Sequence, residues 1–164
     1  MSIPTYYVQS VLSIDPVRLV EMGKKTILLD LDNTILPRDA EEMPPAMVHW
    51  VKRIRLVGIK VVLVSNSWFG RVSAMSAILG VDFVDKAVKP LPPAFILGLI
   101  KERTWPREAA IVGDQFFTDV LGGTFLGMTT IMVLPLAEHD LKHTLILRHL
   151  EKWILGSRKP LDHI

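Results

Sequence analysis

Residues 26–34 read Thr-Ile-Leu-Leu-Asp-Leu-Asp-Asn-Thr (TILLDLDNT). An unbroken apolar run, Ile27 to Leu29, ends in Asp30, with Asp32 and Thr34 at alternate positions beyond it. Apolar residues in succession suit a strand covered on both faces, as in a parallel sheet. Polar groups placed directly after such a run lie at a strand's carboxyl end, where open α/β sheets bind ligands. The pattern recurs along the chain. IKVVLV (59–64) stops at Ser65-Asn66, and AAIV (109–112) stops at Gly113-Asp114, with Asp119 close behind. A weaker run at Asp82–Val84 is followed by Lys89.

Helical signals fill the intervals. Asp15-Pro16 starts one helix, with Asp15 capping and Pro16 at the first helical position. Others are expected at about 46–57, 70–79, 92–103, 117–126 and 140–155, several of them stopped by glycine. Residues 35–45 read as loop, and the last eight, SRKPLDHI, as a tail. With a further apolar run at Thr129–Leu134, five strands alternating with helices predict a doubly wound, Rossmann-like parallel α/β sheet, because parallel neighbours need helical crossovers. The chain is read as one domain over 1–164, with its core at about 23–136. That topology brings four separate polar clusters to one end of the sheet.

Composition narrows the function. With 164 residues, 49% of them hydrophobic, the chain can bury a full core without a disulfide or metal staple. The absence of cysteine excludes thiol catalysis and thiolate metal sites. MSIPTYYVQS lacks the basic and apolar regions of a signal peptide, so a cytoplasmic location is expected. A net charge of +2 without a dense basic cluster gives no reason to expect nucleic-acid binding.

The four clusters together resemble the motifs of the haloacid-dehalogenase (HAD) phosphohydrolases. Asp30-Leu31-Asp32-Asn33-Thr34 resembles the first motif, Ser65 the second, Lys89-Pro90 the third, and Gly113-Asp114 with Asp119 the fourth. DLDNT, VSNS, KAVKP and GDQFFTDVLGG further resemble the HAD-IIIA, YqeG-type phosphatases, relatives of phosphatidylglycerophosphate phosphatases. The resemblance implies a Mg²⁺-dependent phosphomonoester hydrolase. Its metal ligands would be Asp30, the Asp32 backbone carbonyl and Asp114, with Asp119 orienting them.

The residue types suit that chemistry. A carboxylate such as Asp30 can attack phosphorus and hold the phosphoryl group covalently. Asp32 can protonate the leaving oxygen and later take a proton from water. Ser65 and the amides around Asn66 can accept an anion. Lys89 supplies a fixed positive charge to the phosphoryl oxygens. Thr34 either fixes the loop through its hydroxyl or touches substrate. An isolated aspartate at a strand end is more often a cap or turn former, but four ordered clusters outweigh that reading. The competing readings are a soluble-metabolite or phosphoprotein phosphatase, and a HAD fold kept as a phosphate-binding scaffold.

The interval from Thr34 to Val61 and that from Ser65 to Lys89 are each filled by one crossover helix and its loops. Neither has room for a cap domain. An open site implies a large substrate, such as a lipid phosphate, or a lid lent by a second subunit. The final helix and the residues just after it carry Leu141, Leu145, Leu150, Trp153 and Ile154, with Lys142, Arg148, His149, Lys152, Arg158 and Lys159 elsewhere. This pattern suits docking on the sheet; peripheral contact with an anionic membrane is the alternative. His139 and His143 lack an accompanying carboxylate motif, so no metal site is expected there.

Overall fold

The computed structural model describes residues 4–137 and 142–164; for 142–148 it describes the helical backbone alone. Six strands run parallel: β1 (Tyr6–Val8), β2 (Thr26–Leu29), β3 (Lys60–Val64), β4 (Asp82–Val84), β5 (Ala109–Gly113) and β6 (Thr129–Val133). Their order across the sheet is β1-β6-β5-β2-β3-β4. The stretch that ends in Asp30 is thus central, flanked by β5 and β3. The helices are α1 (Pro16–Glu21), α2 (Pro45–Leu56), α3 (Phe69–Leu79), α4 (Pro92–Lys101), α5 (Leu121–Phe125) and α6 (Lys142–Leu155).

Strand alternation divides the apolar residues between two faces. Ile27 and Leu29 join Val61, Leu63, Ala110 and Val112 in one core, covered by Trp50 and Ile54 of α2 and Val72 and Leu79 of α3. Leu28, Val62, Val64 and Ile111 point the other way, onto Ala94, Phe95 and Leu99 of α4. Burial on both faces explains why β2 runs apolar without a break from Ile27 to Leu29. Each fully buried Leu, Ile or Phe contributes roughly 1.5–3 kcal/mol.

The sheet has one strand more than the sequence reading expected. β1 adds to the edge beside β6. The segment read as a free tail closes that edge: Leu161 donates its N–H to the Tyr7 carbonyl at 2.7 Å, and Gln9 donates to the Leu161 carbonyl. An exposed strand edge is otherwise a template for pairing with another chain.

The helix expected at 117–126 begins as one π-helical turn, Phe116–Val120, before α5. Among the described side chains, the final helix docks through residues other than the apolar stripe. Leu155 is buried with Phe116, Val120 and Met132. Glu151 lies inside, its carboxylate accepting from the Phe116 N–H at 2.7 Å. Leu150, Trp153 and Ile154 face outward instead. The start of the π-turn needs an acceptor, and Glu151 provides it, so that side faces the fold. The expected helix start at Asp140, with His139 and Leu141, lies outside the described residues, as do the side chains of Lys142, His143, Leu145 and Arg148. No helix among the described residues is long and apolar enough to cross a membrane.

Candidate active site

β2 delivers Asp30 to the carboxyl end of the sheet, where its N–H donates to the Val112 carbonyl of β5 at 2.9 Å. The carboxylate is then held from both sides. Thr34 Oγ1 donates to Asp30 Oδ2 at 2.7 Å, and Lys89 Nζ donates to Asp30 Oδ1 at 2.5 Å. The Thr34 bond returns the chain to Asp30 across a tight loop in which Asn33 takes a positive φ of 63°, a conformation that Asn tolerates better than most residues. Thr34 therefore fixes the loop, and its hydroxyl lies 3.4 Å from Asp114 Oδ1.

Lys89 bridges two carboxylates. Its Nζ also donates to Asp119 Oδ1 at 2.6 Å, and its side chain is only 3% exposed. The other oxygen of Asp119 accepts from the Gln115 N–H and the Thr118 hydroxyl. The π-turn returns Asp119 beneath Gly113. A Cβ at residue 113 would lie 2.3 Å from the Asp119 carboxyl carbon, so only glycine fits there. Gly113→Ala is expected to cost about 3 kcal/mol or more; equilibrium denaturation checks this.

Asp30, Asp114 and Asp119 offer carboxylate oxygens within 4.8 Å of one another, all buried. Lys89 brings one positive charge to these three. Such an oxygen-only, negatively charged pocket fits a hard divalent cation. Asp119, with Lys89 on one oxygen and two donors on the other, is placed to orient the cluster.

Charges here depart from their ordinary values. Burial is the main cause that pushes the Asp30 carboxyl up, to about 6; the Asp119 charge adds to it, and Lys89 and Thr34 oppose it. Burial also pushes the Lys89 ammonium down, but Asp119 and Asp30 outweigh it, and Lys89 is held above its ordinary value. An acid with a raised folded pKa favours the fold while protonated, and that contribution is lost as pH rises through the folded value. In chelator, Asp30→Asn should therefore gain stability relative to wild type as pH rises from about 4 to about 7. Denaturation of both proteins across that range tests the sign.

Asp32 stands beside this cluster with different partners. Its Oδ2 accepts from the Ser67 hydroxyl, and its Oδ1 accepts from Arg71 Nε at 2.9 Å. Ser65 is buried, and its Oγ accepts from the Ser67 N–H at 3.1 Å. Asn66 is exposed, and its Oδ1 accepts from the Lys89 N–H at 2.9 Å. That bond ties the second segment to the third. All eight residues singled out in the sequence thus converge. Ser67 and Arg71 were missed: Ser67 closes the VSNS stretch but was given no role there, and an arginine early in a helix has the look of a solvated side chain.

Two comparisons with sequences agree with this geometry. The family described as mitochondrial PGP phosphatase matches residues 1–136. The chain belongs to that family. Within the PGP phosphatase family's reach, it is 36% identical over 162 residues to the probable phosphatase YqeG of Bacillus subtilis, covering 99% of this chain and 94% of that one. It is 25% identical over 178 residues to phosphatidylglycerophosphate phosphatase 1, chloroplastic/mitochondrial, of Arabidopsis thaliana. That match covers 98% of this chain but 51% of the relative, so the chain spans about half its length. Among solved structures, the cobalt-bound deoxy-D-mannose-octulosonate 8-phosphate phosphatase YrbI of Haemophilus influenzae superposes with a TM-score of 0.58. Sequence identity there is 14%, with coverage of 82% of this chain and 88% of that one. A HAD phosphatase from Thermococcus onnurineus gives 0.53 at 21% identity, covering 71% and 60%. The fold of this PGP phosphatase family member is therefore the HAD fold, with no cap domain among the described residues, and the protein is a phosphoric monoester hydrolase of the HAD type.

Proposed function

We propose that the protein hydrolyses the terminal phosphomonoester of a phospholipid head group, phosphatidylglycerophosphate, through an aspartyl-phosphate on Asp30. The observation that carries the reaction is the convergence of Asp30, Asp32 and Lys89 at the end of β2. In the first step an Asp30 oxygen attacks phosphorus, the bond to the leaving alcohol breaks, and Asp32 gives that oxygen its proton. In the second, Asp32 takes a proton from water as the water oxygen attacks phosphorus, and the Asp30 carboxylate leaves. Lys89 offsets the phosphoryl charge in both steps. Mg²⁺ would be held by Asp30, the Asp32 carbonyl and Asp114, where it lowers the repulsion between a carboxylate and an anionic ester. Asp119 orients Lys89 and the metal ligands.

The lipid assignment is supported by the similarity to the Arabidopsis enzyme and by the surface beside the site. Trp68 follows Ser65-Asn66-Ser67, and Val88 and Leu91 flank Lys89-Pro90; all three are more than half exposed. Val88 holds a positive φ of 49°, an unusual state for a β-branched residue. Apolar side chains beside a phosphate site suit a substrate embedded in a bilayer. Arg38, in the loop after Thr34, has a buried Nε with no hydrogen-bond partner among the described residues. It is a candidate for the second phosphate of such a head group. The exposed Trp153 and Leu150 of α6 offer further peripheral contact.

Phosphate release from phosphatidylglycerophosphate in liposomes, with and without Mg²⁺, tests this. Release that needs Mg²⁺ and exceeds that from soluble sugar and nucleotide phosphates is expected. Release from the soluble esters alone would replace the lipid with a soluble substrate.

A further inference from the structure

Arg71 lies in the first turn of α3, a place that favours acids over cations. No acidic residue occupies that turn, and Trp68 gives the helix no side-chain cap. The guanidinium is spent elsewhere. Nε donates to Asp32 Oδ1 at 2.9 Å, Nη1 to the Ala40 carbonyl at 2.8 Å, and Nη2 to the Pro37 carbonyl at 3.0 Å. Each of its three nitrogens thus has its own acceptor. Only a planar fork of donors can join one carboxylate and two separated carbonyls in this way. The side chain is 24% exposed and that of Asp32 is 9%, so the pair is screened less than a surface ion pair.

We propose that Arg71 is the positioning residue of the acid/base carboxylate, and that it fixes Asp32 against the 37–40 loop. The proposal rests on the assignment of Asp32 as acid and base. Arg71 holds Oδ1, which leaves Oδ2 to meet the leaving oxygen. The partner of Oδ2 is the hydroxyl of Ser67, which can rotate between donating and accepting. Because the same guanidinium grips Pro37 and Ala40, the loop and the carboxylate are placed together. Without Arg71, Asp32 keeps its chemistry but not its aim, and a small misplacement of a catalytic group is costly.

The test is kcat/KM for a series of aryl phosphates, from phenyl to dinitrophenyl phosphate, in wild type, Arg71→Ala and Arg71→Lys. Dinitrophenolate leaves without a proton, whereas phenolate benefits from one. Arg71→Ala is expected to lower the phenyl phosphate value by about 100-fold and to change the dinitrophenyl value by less than about threefold. Arg71→Lys keeps the charge but cannot hold three acceptors, so the same split should appear at smaller size. If Arg71→Ala does not fold, the Arg71→Lys series decides alone. Equal losses across the series, or no loss, would overturn the positioning role while leaving the phosphatase intact. A wild type that releases phosphate neither from these esters nor from phosphatidylglycerophosphate in liposomes would instead remove the reading on which the proposal rests.

Discussion

Asp30→Asn is expected to lower kcat by roughly 10⁴-fold or more while the fold persists. The substitution is isosteric. The Asn amide oxygen can face Lys89 and its NH₂ can face Thr34, whose hydroxyl then accepts instead of donating. Lys89 keeps Asp119 as its counter-charge at 2.6 Å. What disappears is the nucleophile: a neutral amide cannot form the covalent intermediate that divides the reaction into two easier steps. Steady-state phosphate release in Mg²⁺, alongside a melting curve, checks both halves. Retention of more than about a tenth of wild-type kcat would contradict the assignment.

Lys89→Met is expected to have the largest effect on stability, a loss of about 3–5 kcal/mol in chelator. Methionine fills similar volume and leaves the backbone N–H bond to Asn66 in place, but it cannot donate. Asp30 and Asp119 would then share a buried space without the ammonium that bridges them at 2.5 and 2.6 Å. Removing one partner of a buried ion pair costs more than the pair contributes, because the remaining charge is uncompensated. Two companions sharpen the test. Mg²⁺ should restore part of the loss, since a cation among the same carboxylates replaces the missing charge. Lys89→Met/Asp119→Asn should be less destabilised than Lys89→Met alone. Denaturant midpoints for the set measure this; a Lys89→Met protein within about 1 kcal/mol of wild type would show the bridge to be weak.

The parts of the fold and site that were legible share a cause. Apolar runs such as Ile27 to Leu29 announce buried parallel strands, and polar residues at their ends must cluster because parallel strands point the same way. Asp15-Pro16 marked α1 because its signal is local, and Asp15 indeed accepts from the Val17 N–H. Features set by distant partners were not legible. β1 is three residues long and is held by β6 and by the segment around Leu161. Glu151 faces inward because the Phe116 N–H needs it, against the helix's own apolar pattern. Arg71 is decided by carbonyls of a loop on the far side of α2 in sequence. Local periodicity carries none of these.

The covalent step tests the account most directly. Protein quenched in acid during turnover with Mg²⁺ and substrate can be digested and analysed by mass spectrometry. The account predicts a phosphoryl group on the peptide that contains Asp30, absent in Asp30→Asn. Turnover at the same rate with no phosphoryl group there, or with one on another residue, would contradict it.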